Sequence, residues 1–191
     1  MINVSNGLSV TRIILSPIIF YLTLLGRFYI FPALIIFIAA SITDYFDGYF
    51  ARKHKTVSST GAFLDPLADK FLVLVTLLGF YFVQEISLWV FLVIASRDII
   101  VTGMRILANN NGKEIITENV AKLKTTLQFI LAYMIFANLI LKYLHEFTKI
   151  RPLEIFMSFY QSFVETSIYI VVGITIWSGI SYLINNRKLW I

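Results

Sequence analysis

The sequence predicts an all-α fold: a polytopic membrane protein whose six transmembrane helices pack in one bundle. Three observations predict it. Of 191 residues 58% are hydrophobic and 14% charged, with mean hydropathy +0.80, too little polar material to coat a water-soluble globule. Six apolar windows each supply the roughly 20 residues with which a helix crosses a bilayer core about 30 Å thick. The connections between them are short, and no linker, low-complexity tract or internal repeat interrupts them, so a single domain over 1–191 is the economical reading.

The windows fall at 8–26, 31–53, 61–83, 87–108, 118–143 and 156–184. Ahead of the first, Met1-Ile-Asn-Val-Ser-Asn has no basic leader, and no small-residue cleavage site follows, so the helix is expected to stay in the mature chain. The second ends in Arg52, Lys53 and Lys55. The third closes at a Gln84-Glu85 turn, and the fourth stops at Asn109-Asn-Asn-Gly-Lys-Glu. Between the fifth and sixth, Lys142 to Ile155 interleaves charges with Tyr143, Leu144, Phe147 and Ile150, which predicts an interfacial or partly buried connection. Trp89, Trp177 and Trp190 stand near predicted helix ends, as interfacial anchors do.

Charge then orients the bundle. The formal net charge is +5. Arg52, Lys53 and Lys55, then Arg105, Lys113, Lys122 and Lys124, then Arg187 and Lys188 all fall on one side of the membrane, which the positive-inside rule makes cytoplasmic, with both termini inside. The other side carries Arg27, Gln84-Glu85 and the mixed segment holding Glu146 and Glu154. The chain has no cysteine, which excludes disulfides, thiolate metal sites and cysteine nucleophiles, so any metal must be held by oxygen or histidine. His54 and His145 lie in predicted connections, where solvation is the expectation.

Four of the five aspartates fall within 26 residues of strongly apolar sequence: Asp44, Asp47, Asp65 and Asp69. A charged side chain at the bilayer centre costs roughly 2.5–3.5 kcal/mol on insertion scales, so this cluster demands a counter-charge. On helices, Asp44 and Asp47 stand about 60° apart and Asp65 and Asp69 about 40°, so each pair shares a face. The short return from Lys53 to Ser59 lets the pairs oppose each other. Asp65 ahead of Pro66 could instead cap a helix, and Asp44 or Asp47 could pair with Lys70 or Arg97. Four carboxylates against two in-membrane cations would still leave negative charge buried. Two Mg²⁺ or Mn²⁺ ions balance the four carboxylates, and such ions bind phosphates, which points to a diphosphate or phosphodiester substrate. Gly48, Ala51 and Gly61 suit close approach of a backbone or ligand. Arg52 lies one turn beyond Gly48 on the same face, where its fork can bind a phosphate, with Ser58, Ser59 and Thr60 nearby.

These residues, Asp44-Tyr-Phe-Asp47-Gly48-Tyr-Phe-Ala51-Arg52, eight more, then Gly61-Ala-Phe-Leu-Asp65-Pro-Leu-Ala-Asp69, fill every fixed position of D-x-x-D-G-x-x-A-R followed by G-x-x-x-D-x-x-x-D. The chain thereby resembles the CDP-alcohol phosphotransferase family over its whole length. The resemblance implies that Asp44, Asp47 and Asp65 bind the metals, and that Asp69 joins the second metal and serves as general base. It also implies that Gly48, Arg52 and Ser58 contact the CDP moiety of a CDP-linked lipid, with CMP as leaving group, and that two copies associate as a homodimer in a bacterial cell membrane. No nucleic-acid partner is expected. Asn6, Ser9 and Arg12 resemble the family's N-terminal P-N-x-x-T-x-x-R, with Ser5 in place of proline and Ser9 in place of threonine; Asn6, Ser9 and Gly61 thus join the expected CDP-diacylglycerol site.

The stretches Arg97-Asp98-Ile-Ile-Val-Thr-Gly-Met-Arg105 and Ala121-Lys122-Leu-Lys124-Thr125 look like elements of bacterial members that act on sn-glycerol 3-phosphate, with Ala121 replacing the usual glycine. Arg97, Arg105, Lys122 and Lys124 would hold the acceptor phosphate. Arg97 and Arg105 diverge by about 80° on a helix, but Lys122 and Lys124 by about 200°, so both lysines face one pocket only if the helix begins between them. Their plainer role is the positive-inside charge itself, and Asp98 has cations beside it to pair with. The expected reaction moves the phosphatidyl group of CDP-diacylglycerol to glycerol 3-phosphate, with Asp69 taking the proton of the attacking hydroxyl. Inositol phosphate is the alternative acceptor. An intramembrane prenyltransferase would want N-D-x-x-D-x-x-x-D, where this chain has Thr43 and Ala51; an ion or metal transporter would spread its acids across the membrane.

Overall fold

The computed structural model describes residues 4–54, 59–110 and 119–187, and the side chains of 10–43, 68, 70–108 and 123–187. Every described regular element is helical: α1 (Val4–Leu25), a 3-10 turn (Arg27–Tyr29), α2 (Ile30–His54), α3 (Ser59–Phe82), α4 (Leu88–Asn110), α5 (Asn119–Thr148) and α6 (Arg151–Asn185). The chain divides into two compact units, Met1–Glu85 and Ile86–Ile191.

In the first unit α1 packs against both α2 and α3. Its buried positions Arg12, Ser16, Ile19 and Thr23 recur at helical spacing, and the Ser16 and Thr23 hydroxyls each donate to the carbonyl four residues back, at 2.7 Å. α2 answers with Ala33, Phe37 and Ala40, α3 with Leu72, Thr76 and Phe80. Small residues let the backbones close in: a Cβ added at Gly79 of α3 would stand 3.5 Å from Phe20 and Thr23 of α1. Phe20 meets Phe82 edge-on at 5.8 Å. Gly26, at φ 65°, turns the chain from α1 into α2 in a conformation that costs glycine nothing.

In the second unit α6 packs against both α4 and α5. Trp89 stacks on Tyr169 at 6.1 Å, and Arg97 lies against Gly179, so residue numbers rise together along α4 and α6 and the two helices run parallel. α5 and α6 form a helical hairpin, tied where the Tyr160 hydroxyl donates to the Met134 carbonyl at 3.2 Å. The core of this unit is apolar at one end of α6 (Val164, Ile168, Val171, Val172) and polar at the other (Thr175, Ser178, Tyr182, Asn186).

The expected windows and the helices agree, with one correction. The segment Lys142 to Ile155, expected as a connection, is helical except at Lys149 and Ile150. α5 runs on through His145, and α6 begins at Arg151 with Pro152 in its first turn, where the missing N–H is no loss. Hydropathy falls where charge begins, whereas a helix continues until a breaker stops it, here Lys149 at φ 49° ahead of the proline. Among the described residues two helical stretches are long and apolar enough to cross a membrane, Leu123–Thr148 and Arg151–Asn185. Phe28, Phe31, Phe159, Phe163 and Trp177 all point outward, a surface suited to lipid.

Candidate functional site

The aspartate motif is shared between two consecutive helices. Asp44 and Asp47 lie in α2 and Asp65 and Asp69 in α3, with a regular helical backbone at each, so the three- and four-residue spacings are those of helix neighbours. Asp44 stands ten residues before the end of α2 and Asp69 ten after the start of α3, about 15 Å along either axis. The two pairs are therefore set at matched distances from the α2–α3 connection. Gly48 and Arg52 occupy the last turns of α2, Gly61 the first turn of α3, and Asn6 and Ser9 the start of α1. Ser58 lies outside the described residues, as do the side chains of these aspartates, of Asn6, Ser9 and Arg52. The donor set is oxygen only, which fits a hard divalent cation. Arg12, one turn on from Ser9, is among the largest fully buried side chains.

The basic elements meet in the second unit. Asp98 of α4 is 2% exposed and Lys124 of α5 1%, and the Lys124 ammonium donates to Asp98 Oδ1. Arg97 Nη1 donates to the same oxygen at 3.2 Å, and Gln128 Nε2 approaches Oδ2 at 3.5 Å. One buried carboxylate thus gathers two cations and an amide from two helices, the condition under which a buried ion pair is tolerated. Thr102 Oγ1 donates to the Asp98 carbonyl at 2.6 Å and so adds a bond one turn along α4.

Arg97 and Lys124 are brought together; Arg105 and Lys122 are not seen to join them. α5 begins at Asn119, ahead of both lysines, so they diverge around one continuous helix and the Lys122 side chain lies outside the described ones. Arg97 Nε and Nη2 and Arg105 Nε are buried without a hydrogen-bond partner among the described residues. Thr175 Oγ1 and the Tyr182 hydroxyl of α6 share that condition. Arg97 and Lys124 exceed Asp98 by one positive charge, with Arg105 about two turns further along α4, a set that favours an anionic ligand.

Sequence reasoning had Asp98 beside cations but missed Gln128, Thr175, Gly179 and Tyr182. For Gln128 a signal existed: it stands four residues after Lys124, hence on the same face, in an otherwise apolar helix. The α6 residues carry no such local mark, and Gly179 is singled out only by Arg97 of α4 lying against it.

The family model for CDP-alcohol phosphatidyltransferase matches residues 2–177. The chain is 33% identical over 200 residues to the CDP-diacylglycerol–glycerol-3-phosphate 3-phosphatidyltransferase of Bacillus subtilis, covering 97% of this chain and 96% of that one. It is 38% identical over 148 residues to the Rickettsia typhi protein of that name, covering 72% and 79%. An Arabidopsis thaliana relative, CDP-diacylglycerol–glycerol-3-phosphate 3-phosphatidyltransferase 2, is 32% identical over 169 residues, covering 81% and 65%. With the motif set on α2 and α3 and a match across nearly all of its length, this chain belongs to the CDP-alcohol phosphatidyltransferase family.

Proposed function

We infer that the protein transfers the phosphatidyl group from CDP-diacylglycerol to sn-glycerol 3-phosphate, giving phosphatidylglycerophosphate and CMP in phospholipid biosynthesis. The observation that carries the acceptor is the buried basic set of the second unit, because a neutral alcohol would need no such charge. Likeness to relatives named for this reaction supports it. Asp44, Asp47, Asp65 and Asp69 would hold two Mg²⁺ or Mn²⁺ ions. Such ions, when bound, neutralise charge on the donor diphosphate and on the departing CMP.

The chain's own residues do the rest. Asn6, Ser9, Gly48, Arg52, Ser58 and Gly61 bind the CDP-diacylglycerol headgroup, Arg52 as a fork on phosphate. Arg97, Arg105 and Lys124 bind and orient the phosphate of the acceptor, whereas Lys122, which diverges from Lys124 around α5, falls out of that set. Asp69 takes the proton from the 1-hydroxyl, whose oxygen forms the new bond to the phosphatidyl phosphorus as the bond to CMP breaks. Phosphoryl transfer is mostly positioning and electrostatics, which is what such a residue set provides.

The protein on this reading spans a bacterial cell membrane six times as one bundle, with both termini and the active site cytoplasmic, and works as a homodimer. Elution as a single copy in mild detergent would count against the dimer. The deciding assay is CMP release by purified protein with CDP-diacylglycerol and Mg²⁺, comparing glycerol 3-phosphate, inositol phosphate, serine and no acceptor. Stimulation by glycerol 3-phosphate alone, lost on chelation, is expected; stimulation by inositol phosphate alone would keep the class and replace the acceptor.

A further inference from the structure

Tyr182 is 4% exposed, and its hydroxyl has no hydrogen-bond partner among the described residues. Tyrosine is ordinarily buried with its hydroxyl satisfied, so a hydroxyl left bare in the interior calls for an explanation. Phenylalanine would fill the same space without the cost of desolvating an oxygen.

Arg97 of α4 lies one turn back along α6, at Gly179. A Cβ added at Gly179 would stand 3.1 Å from Arg97 Cγ, so the arginine stem crosses α6 at that glycine. Long side chains on a helix lean toward its N-terminus and cover the turn three to four residues back. For Tyr182 that turn is Gly179. The hydroxyl is thereby directed to the level of the guanidinium, whose Nε and Nη2 are likewise buried and without a partner. The remaining arginine nitrogen, Nη1, is fixed on Asp98, which Lys124 and Gln128 hold in turn. The guanidinium therefore keeps one edge on the protein and offers another, with a neutral donor based one turn along α6.

Several buried donors with no acceptor among the described residues call for an anionic ligand. We propose that the Tyr182 hydroxyl is a recognition group for the acceptor phosphate, donating to a phosphomonoester oxygen that the Arg97 guanidinium also binds. This rests on glycerol 3-phosphate being the acceptor. Tyr182 adds specificity that the cations alone do not, since a fixed neutral donor rewards a correctly placed oxygen rather than any negative charge.

The test is Tyr182→Phe in the full-length protein. The KM for glycerol 3-phosphate is expected to rise about tenfold, by more than kcat falls, as for a lost hydrogen bond to a charged ligand. The KM for CDP-diacylglycerol should stay within about twofold, and the thermal midpoint in detergent should hold or rise, since the variant removes a buried unsatisfied oxygen. Inorganic phosphate, competing with glycerol 3-phosphate, should lose inhibitory strength in step. An unchanged acceptor KM at full wild-type turnover overturns the inference and leaves the proposed reaction standing. A rise confined to the donor KM also overturns it, because the oxygen recognised would then belong to the lipid diphosphate. A fall in midpoint with equal losses toward both substrates makes Tyr182 a packing residue. Wild-type protein stimulated by serine and not by a phosphorylated alcohol removes the acceptor reading and this inference with it.

Discussion

Among single residues, a lost carboxylate should cost this protein more rate than a lost cation. Asp65→Asn removes a proposed oxygen ligand from a site built only of carboxylates, and about 10³-fold or more of CMP release should go with it. Arg52→Lys keeps a positive charge and forfeits only the two-pronged geometry, so a loss of about tenfold is expected. Steady-state CMP release for the two variants side by side checks the order; near-normal turnover in Asp65→Asn would refute the metal assignment. The aspartates could be read from sequence because their spacing is local: three and four residues on a helix put a pair on one face whatever surrounds it. Asp98 was half legible. Arg97 precedes it in the chain, but Lys124 lies 26 residues away on another helix and Gln128 30, and only packing brings them to its oxygens.

Between elements, the Asp98 carboxylate joins α4 to α5, and its worth can be measured by a double-mutant cycle. Asp98→Asn takes the carboxylate away from the buried Lys124 ammonium, and Lys124→Met takes the ammonium away from Asp98 while Arg97 and Gln128 stay on it. Asp98→Asn is expected to destabilise by roughly 3–5 kcal/mol, as breaking a buried pair does, and Lys124→Met by less, because Arg97 still neutralises the carboxylate. The double variant removes one of the two cations along with the carboxylate and should recover part of the Asp98→Asn loss, giving a coupling of about 2 kcal/mol or more. Thermal unfolding of the four proteins in one detergent tests this, and strictly additive losses would show that the pair does not couple the helices. Helix existence was legible from the apolar windows, helix ends less so. The span from Lys142 to Ile155 shows why: Leu144 and Phe147 continue on α5 beyond the hydropathy window, both exposed, and a helix needs no apolar surroundings to extend by a turn or two.

For the whole molecule, the distribution of charge makes a claim about sidedness that the chain is well suited to test, because it has no native cysteine to remove. α5 is 30 residues long and α6 35, so at about 1.5 Å per residue they measure roughly 45 and 50 Å, more than the roughly 30 Å hydrocarbon core. Both helices must therefore project into the headgroup region or beyond, and the turn at Lys149 and Ile150 must stand clear of the core on one side. On the proposed reading, positive charge near Lys113 and Arg187 puts the opposite side in the cytoplasm. Single-cysteine variants Ser87→Cys and Lys149→Cys should react with an impermeant maleimide added to intact cells, while Lys113→Cys and Arg187→Cys should react only after the membrane is opened. Labelling of Lys113→Cys in intact cells would invert the orientation and place the acceptor-binding residues on the outer face. Labelling of Ser87→Cys and Arg187→Cys from the same side would instead break the six-span count, since an odd number of crossings must separate them. Only the expected pattern leaves the basic ends of α4, α5 and α6 on the cytoplasmic side, where a water-soluble phosphorylated acceptor made in the cell can enter.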